Sequence, residues 1–408
     1  MKLMKVKDPD TVLDIIEDNF FPLEGEKVSL EKAGGMCLAE SIIAADDLPG
    51  FNRSTVDGYA VNARDTFGAG EGLPSVLDCK GEILMGQAAP AMEQGQCCQI
   101  HTGGMLPQGA DAVVMVEDTE ITGDTVNVYR QVAPGSNIIR KGEDVTKGVT
   151  VFEAGRHLRS AEIGVLASLG VTQVKAHRRP VMGMFSSGDE LVPVNTKKLE
   201  AAQIRESNSY SIAYLGERNG AKVINGGILP DVFEEFFNKS RAMLDNVDFL
   251  VLTGGSSVGT RDFTARTLQE LGEPGLLVEG VSMQPGKPTL LANCNGKPVL
   301  GLPGHPVSAL NTFIIFGKAV LNRLSGHRQR QVIPAVNAVL TRNLPSRSGR
   351  TDYVRVKLER KEDGFAAVPV FGRSGMLRTL ADADGFVIVE SAKEGLPAGE
   401  KVQVHLWE

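Results

Sequence analysis

Beyond Pro180 the hydrophobic pattern switches period repeatedly. Short apolar runs, VMGMFSS, AKVINGGIL, VDFLVL and KPVLGLPG, alternate with SNSYSIAYLGERNG, VFEEFFNKSRAMLDN and DFTARTLQELG, where apolar residues recur at helical spacing. The last run leads into PVSALNTFIIFGKAVLNRLSG, a long stretch of helical character. Strands covered on both faces read as continuous apolar runs, and crossovers between parallel strands need helices of this kind. The spacing predicts a central, doubly wound α/β domain with a parallel-type sheet over about residues 178–327.

The flanks read differently. Val12, Leu13, Ile15 and Ile16 share one helical face, and the helical reading runs over about residues 11–45. Residues 46–150 are short β-like runs punctuated by Gly and Pro (GEILMGQAAP, HTGGMLPQGADAVVMVED, QVAPGSNIIRKGED), which suggests a β-rich module with many turns. A helix is expected over residues 160–169, with Ser160 as N-cap, Glu162 where the dipole favours an anion, and Gly170 as the stop. After Gly326 alternation returns in TDYVRVKLER, FAAVPVFG, GFVIVE and KVQVHLW, the pattern of a small antiparallel β domain. The expected fold class is multidomain α/β and β: an N-terminal region over 1–177 carrying the inserted β-rich module, the α/β domain over 178–327, and a C-terminal β domain over 328–408.

Length and composition fit that division. A chain of 408 residues favours several domains, and 42% hydrophobic residues suffice for ordinary cores. No apolar run approaches bilayer length, and the lysines of MKLMKVKDPD precede no hydrophobic segment, so a soluble, cytoplasmic protein is expected. The net charge of −7 argues against nucleic acid or anionic membrane as partners. An anionic substrate would need local lysines, helix N-termini or a divalent cation. Cys37, Cys79, Cys97, Cys98 and Cys294 form no disulfide framework, and the lone Cys98-x-x-His101 lacks the second ligand pair of a zinc site.

Ligands of doubly wound sheets bind outside the carboxyl ends of the strands. Three loops leave such ends: SSGDEL (Ser186–Leu191), TGGSSVGTRDFT (Thr253–Thr264) and GLPGHPVSA (Gly301–Ala309). In the second, Thr253, Gly254, Gly255, Ser256 and Gly259 let backbone N–H groups approach a phosphate at a helix start, although a tight strand-to-helix turn explains the glycines equally well. Glu190, Asp231 and Asp262 each fall at or past an expected strand end. Three converging carboxylates would repel one another unless a cation such as Mg2+ lay between them, whereas a single Asp is more commonly a cap or solvated. Lys287, in the stiff QPGKPT turn, suits a phosphate point charge as well as an ordinary surface. Pro303, His305 and Pro306 make a rigid entry to the last helix, with Pro306 suited to its first turn. Asp57, in FNRSTVDGYAV, precedes Gly58 in a turn pair, and Asp144 follows Gly142 in RKGEDV; neither is diagnostic alone.

Together these segments resemble the molybdopterin molybdenumtransferase family, which includes bacterial MoeA proteins and the C-terminal domain of gephyrin. FNRSTVDGYAV, IHTGGMLPQGADAVV, GEDV, HLRSAEIGVLASLG, SSGDELV, TGGSSVGTRDFT, MQPGKPT and GLPGHPVSAL occur in the family's order, and TDYVRV and FGRSGML resemble its C-terminal domain. The resemblance implies an elongated homodimer whose cleft lies between one subunit's α/β domain and the other's N-terminal region. It implies Mg2+-dependent transfer of molybdenum from molybdate to adenylylated molybdopterin, with release of AMP. It further implies transient contact with the preceding adenylyltransferase and with molybdoenzyme acceptors. By motif match Asp57, Thr102, Asp144, Glu190, Asp231 and Asp262 fall on functional positions, and Pro303, Pro306, Arg355 and Ser374 on positions linked to activity. Glu190, Asp231 and Asp262 would then hold Mg2+. Two departures stand out: Gln284 where many relatives carry a second lysine, and His305 where asparagine is frequent.

Two other readings compete. A molybdopterin adenylyltransferase would share the α/β domain but consist of little else, and a non-catalytic scaffold would not need every matched carboxylate filled.

Overall fold

The computed structural model describes residues 5–254, 258–330 and 332–407, with backbone alone for 258–263. Helix α1 (Pro9–Asn19) begins where the Asp8 carboxylate accepts the Thr11 N–H at 2.9 Å and Pro9 enters the first turn. It stops at Asn19 instead of running towards residue 45, because Phe20 is already extended and Pro22 follows. The chain turns into strand β1 (Gly25–Ser29).

The inserted module is a six-stranded sheet. Its strands are β2 (Gly58–Val61), β3 (Ser75–Ile83), β4 (Gln96–Ile100), β5 (Ala112–Met115), β6 (Thr119–Thr122) and β7 (Thr125–Val128), in the order β5-β2-β4-β3-β7-β6. Gly58 opens β2 rather than completing a turn with Asp57: a Cβ there would stand 1.9 Å from the Val114 carbonyl oxygen, so only glycine allows this close pairing. Cys98 is buried in the module's core.

Helix α2 (Ser160–Ser168) is capped by Arg159 rather than Ser160. The deciding group is Glu162, 2% exposed, whose carboxylate accepts the Arg159 N–H at 3.0 Å and guanidinium N–H groups from Arg156 and Arg159 at 2.5 and 2.8 Å. Gly170, at φ +73°, ends the helix as expected. Strand β8 (Gln173–His177) follows and pairs antiparallel with β1. The hydrogen bonds of Arg159, then those of Arg156, hold Glu162 far below the usual carboxylate range. A depressed folded value means stability present above the ordinary Glu range and lost as pH falls towards the folded value. Both guanidiniums are about half exposed, so Glu162→Gln is expected to cost about 1–2 kcal/mol at neutral pH. Thermal denaturation of the two proteins at pH 7 and pH 4 should show the gap narrowing at the lower pH.

The central sheet is built from β9 (Val181–Ser187), β10 (Lys222–Leu229), β11 (Phe249–Thr253), β12 (Pro274–Val278), β14 (Leu290–Cys294) and β15 (Lys297–Leu302); the short β13 (Met283–Gln284) lies between β12 and β14 in the chain. The order is β10-β9-β11-β15-β14-β12. The first four strands run parallel, and the last two add antiparallel edges, so the sheet is mixed rather than wholly parallel. The edge arises from a hairpin inside LLANCNGKPVL, whose Asn295-Gly296 pair takes φ +56° and +86° as a two-residue hairpin turn requires. Helices α3 (Asn208–Arg218), α4 (Phe233–Asn246), α5 (Val258–Glu270), α6 (Pro306–Thr312) and α7 (Lys318–Leu324) cover both faces. Along β11, Phe249 and Val251 enter one core and Leu250 and Leu252 the other, which explains its continuous apolar run. A π turn over Phe313–Gly317 joins α6 to α7.

The C-terminal domain comprises β16 (Ala335–Leu340), β17 (Thr351–Lys361), β18 (Gly364–Pro369), β19 (Gly385–Val389) and β20 (Lys401–Leu406). They run in the order β17-β18-β16-β20-β19, and β19 pairs back onto β17, closing a barrel. Most pairings are antiparallel; β16 with β18 is parallel. The barrel is tied to the α/β domain by β13, which pairs parallel to β17 at Met283–Thr351 and Gln284–Asp352. Among the described residues no helix is long and apolar enough to cross a membrane.

Candidate active site

From β9 the chain crosses by α3 to β10 on one side, and then by α4 to β11 on the other. The strand order therefore reverses between β9 and β11, and a crevice opens beyond their carboxyl ends. Gly254 leaves β11 at φ +126°, and a Cβ there would stand 2.3 Å from the Ser187 carbonyl oxygen and 2.4 Å from its Oγ. Glycine is thus required for the two strand ends to meet. Beneath the crevice runs a buried hydrogen-bond chain. Thr253 Oγ1 donates to Ser186 Oγ at 2.9 Å, Ser186 Oγ donates to Glu206 Oε1 at 2.9 Å, and Ser209 donates to Glu206 through its N–H at 2.8 Å and its Oγ at 2.5 Å. Asn208 Nδ2 donates to the Gly304 carbonyl at 2.8 Å, which fixes the third loop against the start of α3. Sequence reasoning missed Glu206; its signal was a charged residue just before the serine-rich start of α3.

Acidic groups gather beside this floor. The Asp231 N–H donates to Asp189 Oδ1 at 3.1 Å, and a Cβ on Gly188 would fall 2.7 Å from Glu190 Oε2, so the Glu190 carboxylate folds over the loop. Burial, then the charges of Asp189 and Glu190, push the Asp231 carboxyl up from its usual value, with the Ser187 hydroxyl opposing. Among the described residues Asp231 Oδ1, which is buried, has no hydrogen-bond partner. Asp189, not singled out in the sequence, belongs to this group. Asp262 lies in α5, past its start rather than at a strand end, and its side chain is outside the described residues, as are Gly255 and Ser256; Gly259 lies in the first turn of α5. Among the described residues no three His, Cys, Asp or Glu side chains stand close enough to hold a metal ion by themselves.

The C-terminal domain reaches the same end of the sheet. Ser374 Oγ lies 3.0 Å from His305 Nδ1, and the Ser374 carbonyl accepts the Val307 N–H at 3.1 Å, so the barrel latches onto the start of α6. Pro306 occupies the first turn as expected, and Pro303 is buried. Lys287 is exposed in the turn after Pro285, where Gly286 takes φ +124°. Arg355, 8% exposed, borders a cavity of about 190 Å³ with Gln284, Phe371 and Ser374. Its Nη2 donates to the Gly372 carbonyl at 2.8 Å, while Nε is buried without a partner among the described residues and burial lowers the guanidinium pKa. A buried cation with an unused donor suits an oxyanion.

In the N-terminal module Asp57 Oδ1 accepts the Thr102 N–H at 2.7 Å and its Oγ1 at 3.2 Å. His101 stands between this carboxylate, 3.6 Å from Nδ1, and Glu82, 2.6 Å from Nε2. The hydrogen bond to Glu82 chiefly raises the imidazole pKa, and the Thr102 N–H chiefly lowers that of Asp57. Asp144 is exposed, with its N–H on the Leu48 carbonyl at 3.1 Å. Among the described residues these contacts stay within the module, so the N-terminal residues are not joined to the α/β crevice of their own chain.

Comparison with known proteins fits this three-part arrangement. Residues 8–170 match the MoeA N-terminal region (domain I and II), 183–323 a probable molybdopterin binding domain, and 337–407 the MoeA C-terminal region (domain IV). The molybdopterin molybdenumtransferase of Haemophilus influenzae is 33% identical over 396 residues, covering 96% of each chain. The chain belongs to the molybdopterin molybdenumtransferase family. The Bacillus subtilis molybdopterin molybdenumtransferase is 34% identical, covering 94% of this chain and 90% of that one. The molybdopterin biosynthesis MoeA protein of Pyrococcus horikoshii OT3 superposes with a TM-score of 0.84 at 30% identity, covering 98% of this chain and 100% of that chain. The chain is accordingly a transferase of molybdenum-cofactor biosynthesis.

Proposed function

We propose that the chain moves molybdenum from molybdate onto adenylylated molybdopterin in a Mg2+-dependent step that releases AMP. The observation that carries this is Asp231: a carboxyl raised first by burial and then by two neighbouring carboxylates, with one buried oxygen that has no hydrogen-bond partner among the described residues. Such a group fits a divalent cation shared with anionic substrate oxygens. Glu190, Asp231 and Asp262 would hold Mg2+, with Asp189 turned to the Asp231 backbone; the ion would screen phosphate charge there. The residues following Thr253, through Gly254, Gly255, Ser256 and Gly259, would receive phosphate at the start of α5. Lys287 would neutralise charge at the rim. Arg355, through its unused Nε, and Ser374 would bind the oxyanion, with Pro303, His305 and Pro306 holding the wall it rests on. No side chain is needed as a covalent nucleophile, since positioning and electrostatics carry the step.

Asp57, Thr102 and Asp144 enter through a second copy of the chain. In a homodimer the other subunit's N-terminal module would close the crevice that Asp57, Thr102 and Asp144 do not contact, among the described residues, within their own chain. Glu190→Gln and Asp57→Ala, each folded, are expected to be nearly inactive alone. When the two variants are unfolded, mixed and refolded together, a site intact in both parts should return in mixed dimers. Full turnover by Glu190→Gln alone would overturn the metal assignment, and absence of any recovery would overturn the shared site.

A further inference from the structure

Far from the crevice, at the amino ends of the parallel strands, a cavity of about 410 Å³ lies between α1, the last helix of the α/β domain and the end of β20. Its volume falls in the range of small-molecule sites. Leu13, Ile16, Ile314, Ile315 and Leu406 make it apolar, and Trp407, the chain's one tryptophan, forms a wall. Two features mark it as more than a packing gap. The Trp407 indole N–H is buried and has no hydrogen-bond partner among the described residues, a donor that packing alone would not leave idle. Ile314 and Ile315 lie in the π turn of Phe313–Gly317, a distortion that a helix retains at a cost in hydrogen-bond geometry and that occurs frequently at functional sites.

The cavity's charge gives the ligand a direction. Lys318, Arg323, Arg328 and Arg330 line it against Glu17 and Asp18, an excess of positive charge in a chain whose net charge is −7. Arg330 is spoken for by Asp14 and Glu17. Past Asn219, Asn322 and His327, which border both spaces, a second cavity of about 370 Å³ is lined by Arg178, Arg179 and Arg218 against Glu217. Arg178 is engaged with Asp248 at 2.6 Å, while Arg179 is exposed at the strand start. Burial, then His157, pushes His327 down to about 4, so at neutral pH it is an uncharged hydrogen-bonding group on the border that the two cavities share.

We propose that these adjoining cavities, which share a border at Asn219, Asn322 and His327, together bind a small amphipathic aryl anion, its flat ring against Trp407 with an acceptor for the indole N–H, and its carboxylate or phosphate-like end towards Arg179. The site is separate from the molybdenum-transfer crevice and its occupancy does not depend on that chemistry.

The single tryptophan makes fluorescence of the full-length protein a readout confined to this site. The probes are para-nitrobenzoate, para-nitrobenzylphosphonate and the uncharged para-nitrobenzyl alcohol, with quenching corrected for their absorbance. Saturable quenching is expected, with either anion binding at least about tenfold more tightly than the alcohol; carboxylate and phosphonate affinities together tell which anionic group fits better. Ala319→Phe, which fills the apolar compartment, should abolish saturable quenching, and the surface change Arg179→Glu should weaken the anions about tenfold while leaving the alcohol unchanged. Molybdenum transfer by folded Arg179→Glu should be unaffected. Non-saturable quenching, equal affinity for the alcohol and the anions, or unchanged binding to Arg179→Glu would each overturn the proposal.

Discussion

Asp231→Asn is expected to abolish turnover while leaving the metal-free protein more resistant to heat than the parent. The two effects share one cause. Burial and the charges of Asp189 and Glu190 make the ionised Asp231 unfavourable in the folded chain, so its pKa is raised there. Between the ordinary Asp value and the raised one the folded state binds more protons than the unfolded state, and stability falls as pH rises through that window. Above it the penalty is fully present. Asparagine removes the charge, so the gain in melting temperature should be present at pH 7 and vanish below the ordinary Asp range. The same change removes the oxygen charge that would meet Mg2+, and loss of one such electrostatic contact costs about a hundredfold or more in rate. Melting curves with chelator and with added Mg2+ check both halves: the parent should gain stability with Mg2+ and the variant should not. A variant that melts lower than the parent without metal, and still turns over, would contradict this assignment.

Arg355→Met should separate oxyanion binding from folding in the same way. Arg355 is 8% exposed; its guanidinium keeps a hydrogen bond to the Gly372 carbonyl at 2.8 Å and leaves Nε without a partner among the described residues. Replacing a desolvated, incompletely paired cation by an apolar chain of similar length is often neutral or stabilising. A charge-assisted hydrogen bond to an oxyanion contributes about 1.5–3 kcal/mol, which corresponds to roughly ten- to hundredfold in affinity. The expected outcome is a melting temperature at or above the parent's, with the KM for molybdate raised by that factor. An unchanged KM would place the oxyanion elsewhere.

The α/β domain was the most legible part of the sequence, since strands such as Phe249–Thr253 are buried on both faces and must be apolar except where a polar group such as Thr253 finds a buried partner. The antiparallel edge was less so. KPVLGL was legible as a strand, but the only signal that marks LLANC as its hairpin partner is the Asn295-Gly296 pair. At the N-terminus, Val12 to Ile16 announced a helix but not its end, because the strand Gly25–Ser29 is polar and half-exposed and carries little period-two signal. Ser160 looked like the cap by residue type; Arg159 is the N-cap instead, because the Glu162 carboxylate, held by two arginines, accepts its N–H.

For the site, strand-end position was enough to mark Glu190 and Asp231, since a doubly wound sheet gathers whatever follows its parallel strands. It was not enough to find Asp189 or Glu206. Their importance comes from a backbone contact and from a buried chain through Ser186 and Thr253, both of which exist only once β9, β11 and α3 are packed. The Gly58 requirement was likewise hidden: the Asp57-Gly58 pair suggested a turn, whereas the reason for glycine is the Val114 carbonyl across the sheet.

The most direct test of molybdenum transfer at this crevice is AMP release from adenylylated molybdopterin, followed together with formation of active cofactor, with Mg2+ and with or without molybdate. The account predicts AMP release that requires both Mg2+ and molybdate and yields cofactor in proportion. Substrate that binds but stays uncleaved, or cleavage indifferent to molybdate, would contradict it.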